Sequence, residues 1–242
     1  MLYKGANGDS DRLVLDVLTE YYPQHQYFFY TTRSSENPRL TPLLARTAVQ
    51  LKTPRHGLSR RWWMRGGGVL RDCRRHRVKL FHGLTGDLPL DLKKSSLGSV
   101  VSVNTLYPGA SGPFCALLRA YHRFSQKLAC RTADRIIVPT ESLRQSLAKA
   151  YGVSTEKIDV VSPCANERYN RDIKLSEQND IRRKYGIPEQ YVLMHEPVTE
   201  AGHAADVLRA LEQLPDNHVA LLLIGSGSPY YNKQVKDYAV AN

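Results

Sequence analysis

Two polar residues that could take part in catalysis follow apolar stretches in the first half of the chain. His82 follows the letters VKLF, and Asn104 follows VVSV. An imidazole can take up or release a proton near neutral pH, whereas a carboxamide can hydrogen-bond a hydroxyl group but carries no proton. His82 is therefore either a catalytic residue or a loop histidine that caps local backbone. Asn104 is a candidate for holding a substrate hydroxyl.

A second set of candidate residues lies in predicted loops: Gly5, Gly8, Glu200, His203, Gly225 and Gly227. Glycine allows a backbone amide to approach an anion closely, because it has no Cβ. The alternatives stay open, since an isolated Gly-x-Gly also forms plain turns and a loop glutamate often contacts only solvent. The loop from His195 to His203 contains no Lys or Arg, which is unusual for a phosphate site.

Positive charge is concentrated between Lys52 and Lys79, which hold ten basic residues and one acid, Asp72. A solvated surface loop, a membrane contact and a nucleic-acid contact would each explain the charge. Arg next to Trp favours an anionic membrane surface. Nucleic acid is less favoured, because the segment contains no known DNA- or RNA-binding motif. The predicted membrane-contact residues are Arg60, Arg61, Trp62, Trp63 and Arg65.

The composition is that of a globular protein, with 242 residues, 42% hydrophobic and 24% charged. No apolar run is long enough to cross a bilayer, and the first residues lack the apolar core of a signal peptide. The four cysteines are too far apart for a metal motif, so we expect buried thiols and no metal. These features predict a cytoplasmic protein that associates peripherally with the inner face of the membrane.

The coarse pattern is an alternation of apolar strands and amphipathic helices, which predicts an α/β fold with a parallel, doubly wound sheet. A helix is expected to begin near Asp11, with Pro23 just beyond its end. A long helix over 113–133 has an apolar face formed by Leu117, Leu118, Tyr121, Phe124 and Leu128. Thr140 is the expected N-cap of a helix from Glu141 to Tyr151. In such sheets, ligands bind beyond the carboxyl ends of the strands.

The stretch ADRIIVPTESLRQSLAKAYGVSTEKIDVVSP closely resembles a hallmark of glycosyltransferase family 4, and LFHGLTGDLPL, SVVSVNTLYP and RRKYGIPEQYVL resemble neighbouring segments. The resemblance implies a GT-B fold, in which an acceptor-side Rossmann-like domain faces a donor-side one. Residues 1–166 would form the first domain, with its first strand short or missing. Residues 167–189 would form a linker, and residues 190–242 the truncated start of the second domain.

The family resemblance further implies retaining transfer of a hexose from a nucleotide-sugar, without metal or cofactor, to a cell-surface glycan or lipid-linked acceptor. The resemblance makes Gly5, Gly8, Glu200 and His203 candidates for donor binding, and it places His82 at a strand end that faces the cleft of the family. This sequence departs from the family pattern at several places. Asn104 and Thr105 stand where a His-Asp pair is usual, Ala201 and Gly202 replace a basic pair, and no Glu-x7-Glu motif is present. We therefore expect impaired transfer and weak or lost donor binding. The alternative is a non-catalytic or vestigial binding module that keeps the acceptor-domain fold.

Overall fold

The computed structural model of the chain describes residues 6–31, 41–53, 67–106, 113–163, 172–194, 203–214 and 219–224, and positions 233, 235 and 237. The chain divides into two compact units, Met1–Asn166 and Glu167–Asn242. The described part of the second unit includes a helix inside the stretch predicted as a linker. The linker assignment itself stays a prediction.

The first unit contains two parallel sheets and the helices that connect their strands. Its elements are α1 (Ala6–Tyr21), β1 (Tyr27–Tyr30), α2 (Thr41–Leu44), β2 (Val49–Lys52), α3 (Gly67–Arg75), β3 (Leu80–Gly83), β4 (Gly98–Ser102), α4 (Pro113–Thr132), β5 (Arg135–Val138), α5 (Glu141–Tyr151) and β6 (Ile158–Val160). Strands β1 and β2 form one sheet, and the other has the order β3-β4-β5-β6. All of these pairings are parallel, which confirms the predicted α/β class.

The main core lies on one face of the four-stranded sheet. Alternating residues of the strands point to this face, and Val101, Ile136 and Ile158 follow one another across the sheet by register. These β-branched side chains suit the pleated surface, and they are almost completely buried beneath α4 and α5. The core side chains from the two helices include Cys130 and Leu147.

Helix α4 packs on this core with a different face from the predicted one. Among its described side chains, the helix buries Ser125, Gln126, Ala129 and Cys130, whereas Leu128 of the predicted face is only partly buried. Tyr121 and Phe124, which the apolar pattern assigned to the packed face, are exposed. Small residues let the helix approach the sheet closely, and the buried polar groups have partners in neighbouring loops. The side chains of Leu117 and Leu118 lie outside the described residues.

The segment that most closely resembles the family, which begins at Ala133, makes several contacts that hold the fold together. The Asp134 carboxylate accepts hydrogen bonds from the backbone amide and hydroxyl of Ser99, which join the starts of β4 and β5. The Arg135 guanidinium donates two hydrogen bonds to Asp159 on β6. Thr140 caps α5 by accepting from the Leu143 amide, as predicted. These contacts tie strands and helices to one another.

Two further predictions concern the cysteines and the first helix of this unit. Cys73 and Cys130 are buried free thiols, as expected; the Cys115 side chain and Cys164 lie outside the described residues. Helix α1 begins at Ala6, five residues before the predicted start, and Gly8 therefore lies within its first turn.

The second unit contains a smaller parallel pair of strands. Its elements are α6 (Leu175–Tyr185), β7 (Tyr191–Met194), α7 (Ala204–Leu211) and β8 (Ala220–Leu223). Strands β7 and β8 pair in register from Tyr191 with Ala220 to Met194 with Leu223. In the described part of this unit, the buried hydrophobic cluster consists of Ala204 and Val235, with partly buried neighbours.

Candidate active site at the carboxyl ends of the strands

The carboxyl ends of β3 to β6 meet at one edge of the four-stranded sheet, because all four strands run in the same direction. This edge receives His82 and Gly83 from β3, and Asn104 and Thr105 from the segment after β4. Asn104 and Thr105 are exposed, whereas His82 is partly buried. The structure thus brings both predicted catalytic candidates to the edge at which parallel sheets bind ligands.

His82 is held against the neighbouring strand. Its Nε2 atom lies 2.8 Å from the Oγ atom of Ser102. The contact follows from the register, in which His82 pairs with Val100, so that Ser102 lies two residues further along the same face of β4. Burial lowers the pKa of His82, which favours the neutral imidazole. A neutral ring can accept a proton from a hydroxyl group or hydrogen-bond it in place.

The loop that follows His82 is compact, and it places glycine where a side chain would not fit. A Cβ atom on Gly83 would lie 2.2 Å from the carbonyl oxygen of Asp87. Gly86 has a φ of 76°, in the left-handed region that glycine occupies readily. The loop therefore returns closely on the end of β3 and fixes the surroundings of His82.

Two buried polar residues of α4 hold the loops of this edge. The Ser125 hydroxyl donates a hydrogen bond to Asp87 Oδ1 at 2.6 Å. Gln126 Nε2 donates to the carbonyl oxygen of Thr105 at 3.1 Å, and the Tyr151 hydroxyl donates to Gln126 Oε1 at 2.6 Å. One turn of α4 thus joins the loop after β3, the segment after β4 and the end of α5.

These bracing residues were missed by the sequence analysis. A signal was present, because Ser125 and Gln126 stand four residues before Ala129 and Cys130 and therefore share their helix face. Small residues at this spacing mark a face that packs closely. The prediction instead followed the larger apolar residues on the other side of the helix, such as Tyr121 and Phe124.

The remaining predicted site residues are not gathered at this edge. Gly8 lies in α1 and His203 in the second unit. Predicted residues outside the described part of the chain are Gly5, Arg60, Arg61, Trp62, Trp63, Arg65, Glu200, Gly225 and Gly227. Their roles stay predictions.

His203 stands directly before α7 in a left-handed conformation, with φ 57°. Its Nδ1 atom lies 2.9 Å from Asp206 Oδ2, in the first turn of that helix. This hydrogen bond and the nearby Arg209 lower the pKa of Asp206. His203 is exposed, so the contact with Asp206 leaves its ring accessible to solvent.

A second polar cluster joins β1 to α3. The Tyr30 hydroxyl donates to Asp72 Oδ2 at 2.9 Å, and the Cys73 thiol lies 3.6 Å from the Tyr30 oxygen. Burial raises the pKa of both Tyr30 and Cys73, so the protonated forms are favoured. A buried protonated thiol is unreactive, and this cluster has a packing role.

Within the described residues, no group of three or more His, Cys, Asp or Glu side chains could hold a metal ion. No helix in the described part of the chain is long and apolar enough to span a membrane.

The sequence matches the model of a known protein family. The model of the family described as Glycosyltransferase Family 4 matches residues 11–168. Among curated proteins, none matches the chain significantly.

Solved structures with the same fold include a glycosyltransferase and a protein that was solved with UDP and glucose. A glycosyltransferase from Rickettsia africae ESF-5 superposes with a TM-score of 0.72 at 13% identity, over 100% of this chain and 62% of that one. HepE of Anabaena, solved with UDP and glucose, gives 0.65 at 16% identity, over 98% and 64% of the two chains. The chain therefore spans less than two thirds of either structure.

The same fold also occurs in a different kind of enzyme. The UDP-GlcNAc 2-epimerase from Neisseria meningitidis, solved with UDP-GlcNAc, has a TM-score of 0.54 at 10% identity, over 98% of this chain and 68% of that one. At these identities the likeness shows the fold alone, and the predicted GT-B-like fold class is confirmed. The reaction has to be argued from the family and the site.

Proposed function

The chain belongs to glycosyltransferase family 4, and from this we propose that it is a retaining glycosyltransferase with an impaired donor site. It would transfer a hexose from a nucleotide-sugar to a cell-surface glycan or a lipid-linked acceptor at the cytoplasmic face of a membrane. The observation that carries the proposal is the family match over residues 11–168, which include the whole braced edge with His82 and Asn104.

The braced edge suits the recognition of an acceptor hydroxyl. Sugar transfer passes through an oxocarbenium-like state, so the incoming hydroxyl must be held in line with the bond that breaks. The exposed Asn104 can hydrogen-bond such a hydroxyl but cannot remove its proton. His82 is partly buried, which lowers its pKa and favours the neutral ring, and a neutral ring can accept a hydrogen bond or a proton. The donor phosphate is the other group able to receive that proton.

Uridine nucleotides are the first donors to test, since HepE was solved with UDP-glucose on the same fold. Weak binding is expected, because the stretch from His195 to His203 has no Lys or Arg to meet a diphosphate. Each missing charge-assisted hydrogen bond removes roughly 1.5 to 3 kcal/mol. Two of them together correspond to a loss of about a hundredfold or more in affinity.

Calorimetric titration of the full chain with UDP- and GDP-sugars tests the donor side. The parent should bind more weakly than the micromolar range, and an Ala201→Arg, Gly202→Lys variant should bind substantially tighter. Gln213→Lys, which adds charge elsewhere in the same unit, is the matched control and should leave affinity unchanged. Micromolar binding by the parent would contradict the proposed impairment.

The alternative is a non-catalytic module that binds an acceptor glycan. Asn104 favours it, because an amide at this position provides no general base. Product analysis with the Ala201→Arg, Gly202→Lys variant separates the two: transferred hexose supports the enzyme. Acceptor binding without either transfer or donor hydrolysis supports the module.

A further inference from the structure

The outward face of α4 combines exposed aromatic side chains with positive charge. Phe124 is 65% exposed and Tyr121 is 47% exposed, although both belong to a helix whose opposite face is packed on the sheet. Arg123 lies between them in sequence and is exposed, and Lys127 follows one turn later. Burying a phenyl ring is favourable, so a soluble chain gains little by exposing one on a helix that already has a packed face.

The charge on this helix has one sign. Basic residues occur at every fourth position, at Arg119, Arg123, Lys127 and Arg131, and the sequence of α4 contains no Asp or Glu. Of the side chains that the structure describes here, Arg123 is exposed, and Arg131 donates a hydrogen bond to the Tyr151 carbonyl at the end of the helix. The outward face is therefore aromatic and cationic without local neutralisation by acids of its own helix.

We propose that this face, defined by Tyr121, Arg123, Phe124 and Lys127, docks on an anionic lipid bilayer. A helix with Phe on its outer face and Arg and Lys beside it lies in the plane of a membrane interface, with the rings below the headgroups. The guanidinium and ammonium groups meet anionic headgroups, and their long stems allow them to reach upward from an inserted ring. A nucleic acid would use the charge but would find no flat stacking platform on two rings separated along a helix.

The position of the face relates docking to the candidate site. Phe124 stands two residues before Gln126, whose side chain bonds the Thr105 carbonyl at the carboxyl edge of the sheet. One segment of α4 thus contacts the site with one face and presents Phe124 on the other. Docking would place that edge of the first unit close to a lipid surface. The proposal does not depend on the transfer reaction, and it concerns residues other than the predicted membrane-contact residues between Arg60 and Arg65.

Sedimentation with vesicles tests the proposal on the full chain. The vesicles contain either phosphatidylcholine alone or phosphatidylcholine with phosphatidylglycerol, at low and high salt. The variants are Phe124→Ser and Arg123→Gln, Lys127→Gln. The control on the second unit is Arg183→Gln, Tyr185→Ser, which removes an exposed cation and an exposed ring outside α4. None of the substituted residues is buried, and circular dichroism verifies that each variant is folded.

The parent should bind only the anionic vesicles. The Arg123, Lys127 variant should bind on the order of tenfold or more weakly at low salt, since each basic residue near such a surface contributes a several-fold factor. Phe124→Ser should weaken the part of the binding that persists at high salt, where the attraction between charges is screened. The control variant should bind like the parent.

Three results would overturn the proposal. The first is a parent that ignores anionic vesicles. The second is binding that both α4 variants retain, in particular if Arg60, Arg61, Arg65→Ala abolishes it, since that places the contact in the other basic segment. The third is binding that RNA displaces completely and that Phe124→Ser leaves unchanged, which indicates a general polyanion surface.

Discussion

At the scale of single residues, the lowered pKa of His82 makes the stability of the fold depend on pH. Its imidazole is held by Ser102 in a partly buried position, and burial lowers its pKa. The folded chain therefore binds this proton less readily than the unfolded chain does. The stability that a neutral His82 contributes is fully present above the unfolded pKa and is lost as the pH falls below it.

We expect the free energy of unfolding of the parent to decrease between about pH 7 and about pH 5, because an unfolded histidine titrates near 6.5. His82→Gln should decrease less steeply over the same range. Urea unfolding followed by circular dichroism at several pH values measures both slopes. His25→Gln, at an exposed histidine, is the control. Equal slopes for the parent and His82→Gln would show that burial of this ring has no energetic consequence.

Gly83 is the second residue whose environment makes a sharp prediction. A methyl group there would overlap the Asp87 carbonyl oxygen, and backbone rather than a flexible side chain would have to move. Gly83→Ala should therefore lower the free energy of unfolding by about 1 to 3 kcal/mol, the usual cost of overpacking. Gly67→Ala in α3, where no atom lies within 4 Å of the added Cβ, should change it by less than about 0.5 kcal/mol. Chemical denaturation of the two variants gives the comparison.

At the scale of elements, the sequence reveals features that depend on neighbouring residues, but it does not reveal contacts between residues that are far apart in the chain. The cap at Thr140 depends on residues three apart, and β4 and β5 are apolar runs bounded by polar residues, so the sequence shows both. The packed face of α4 depends on partners 21 to 38 residues away, such as Thr105, Tyr151 and Asp87. Periodicity cannot reveal these partners, and it selected the side with the larger apolar residues.

The brace formed by Gln126 and Tyr151 is the element-scale feature that can be measured directly. Gln126 is 2% exposed, so the loss of the phenol donor leaves its Oε1 atom in a dry environment. Tyr151→Phe should lower the free energy of unfolding by about 1 to 3 kcal/mol.

The control is the same change made in a Gln126→Met background, where it should cost less. The difference measures a coupling expected at about 0.5 to 3 kcal/mol. Additive effects would mean that the two side chains do not act as a pair.

At the scale of the whole molecule, the two units differ in how completely they bury their strands. Val101, Ile136 and Val138 in the first unit have no measurable exposure, and they belong to a large cluster closed by α4 and α5. In the second unit, Leu193 is 53% exposed although it lies in the middle of a paired strand. Backbone hydrogen bonds exchange slowly only when their opening must expose a packed core.

Amide hydrogen exchange of the full chain, read by mass spectrometry on peptides, should therefore show two levels of protection. Peptides covering β4 and β5 should exchange near the rate of global unfolding, and peptides covering β7 and β8 should exchange faster. The β4–β5 pair and the β7–β8 pair are both parallel, with three and four paired residues respectively. Hydrogen bonding alone therefore predicts equal protection of their amides. The expected difference comes from burial. Equal protection in β5 and β7 would show that the second unit is stabilised by contacts beyond its described cluster of Ala204 and Val235.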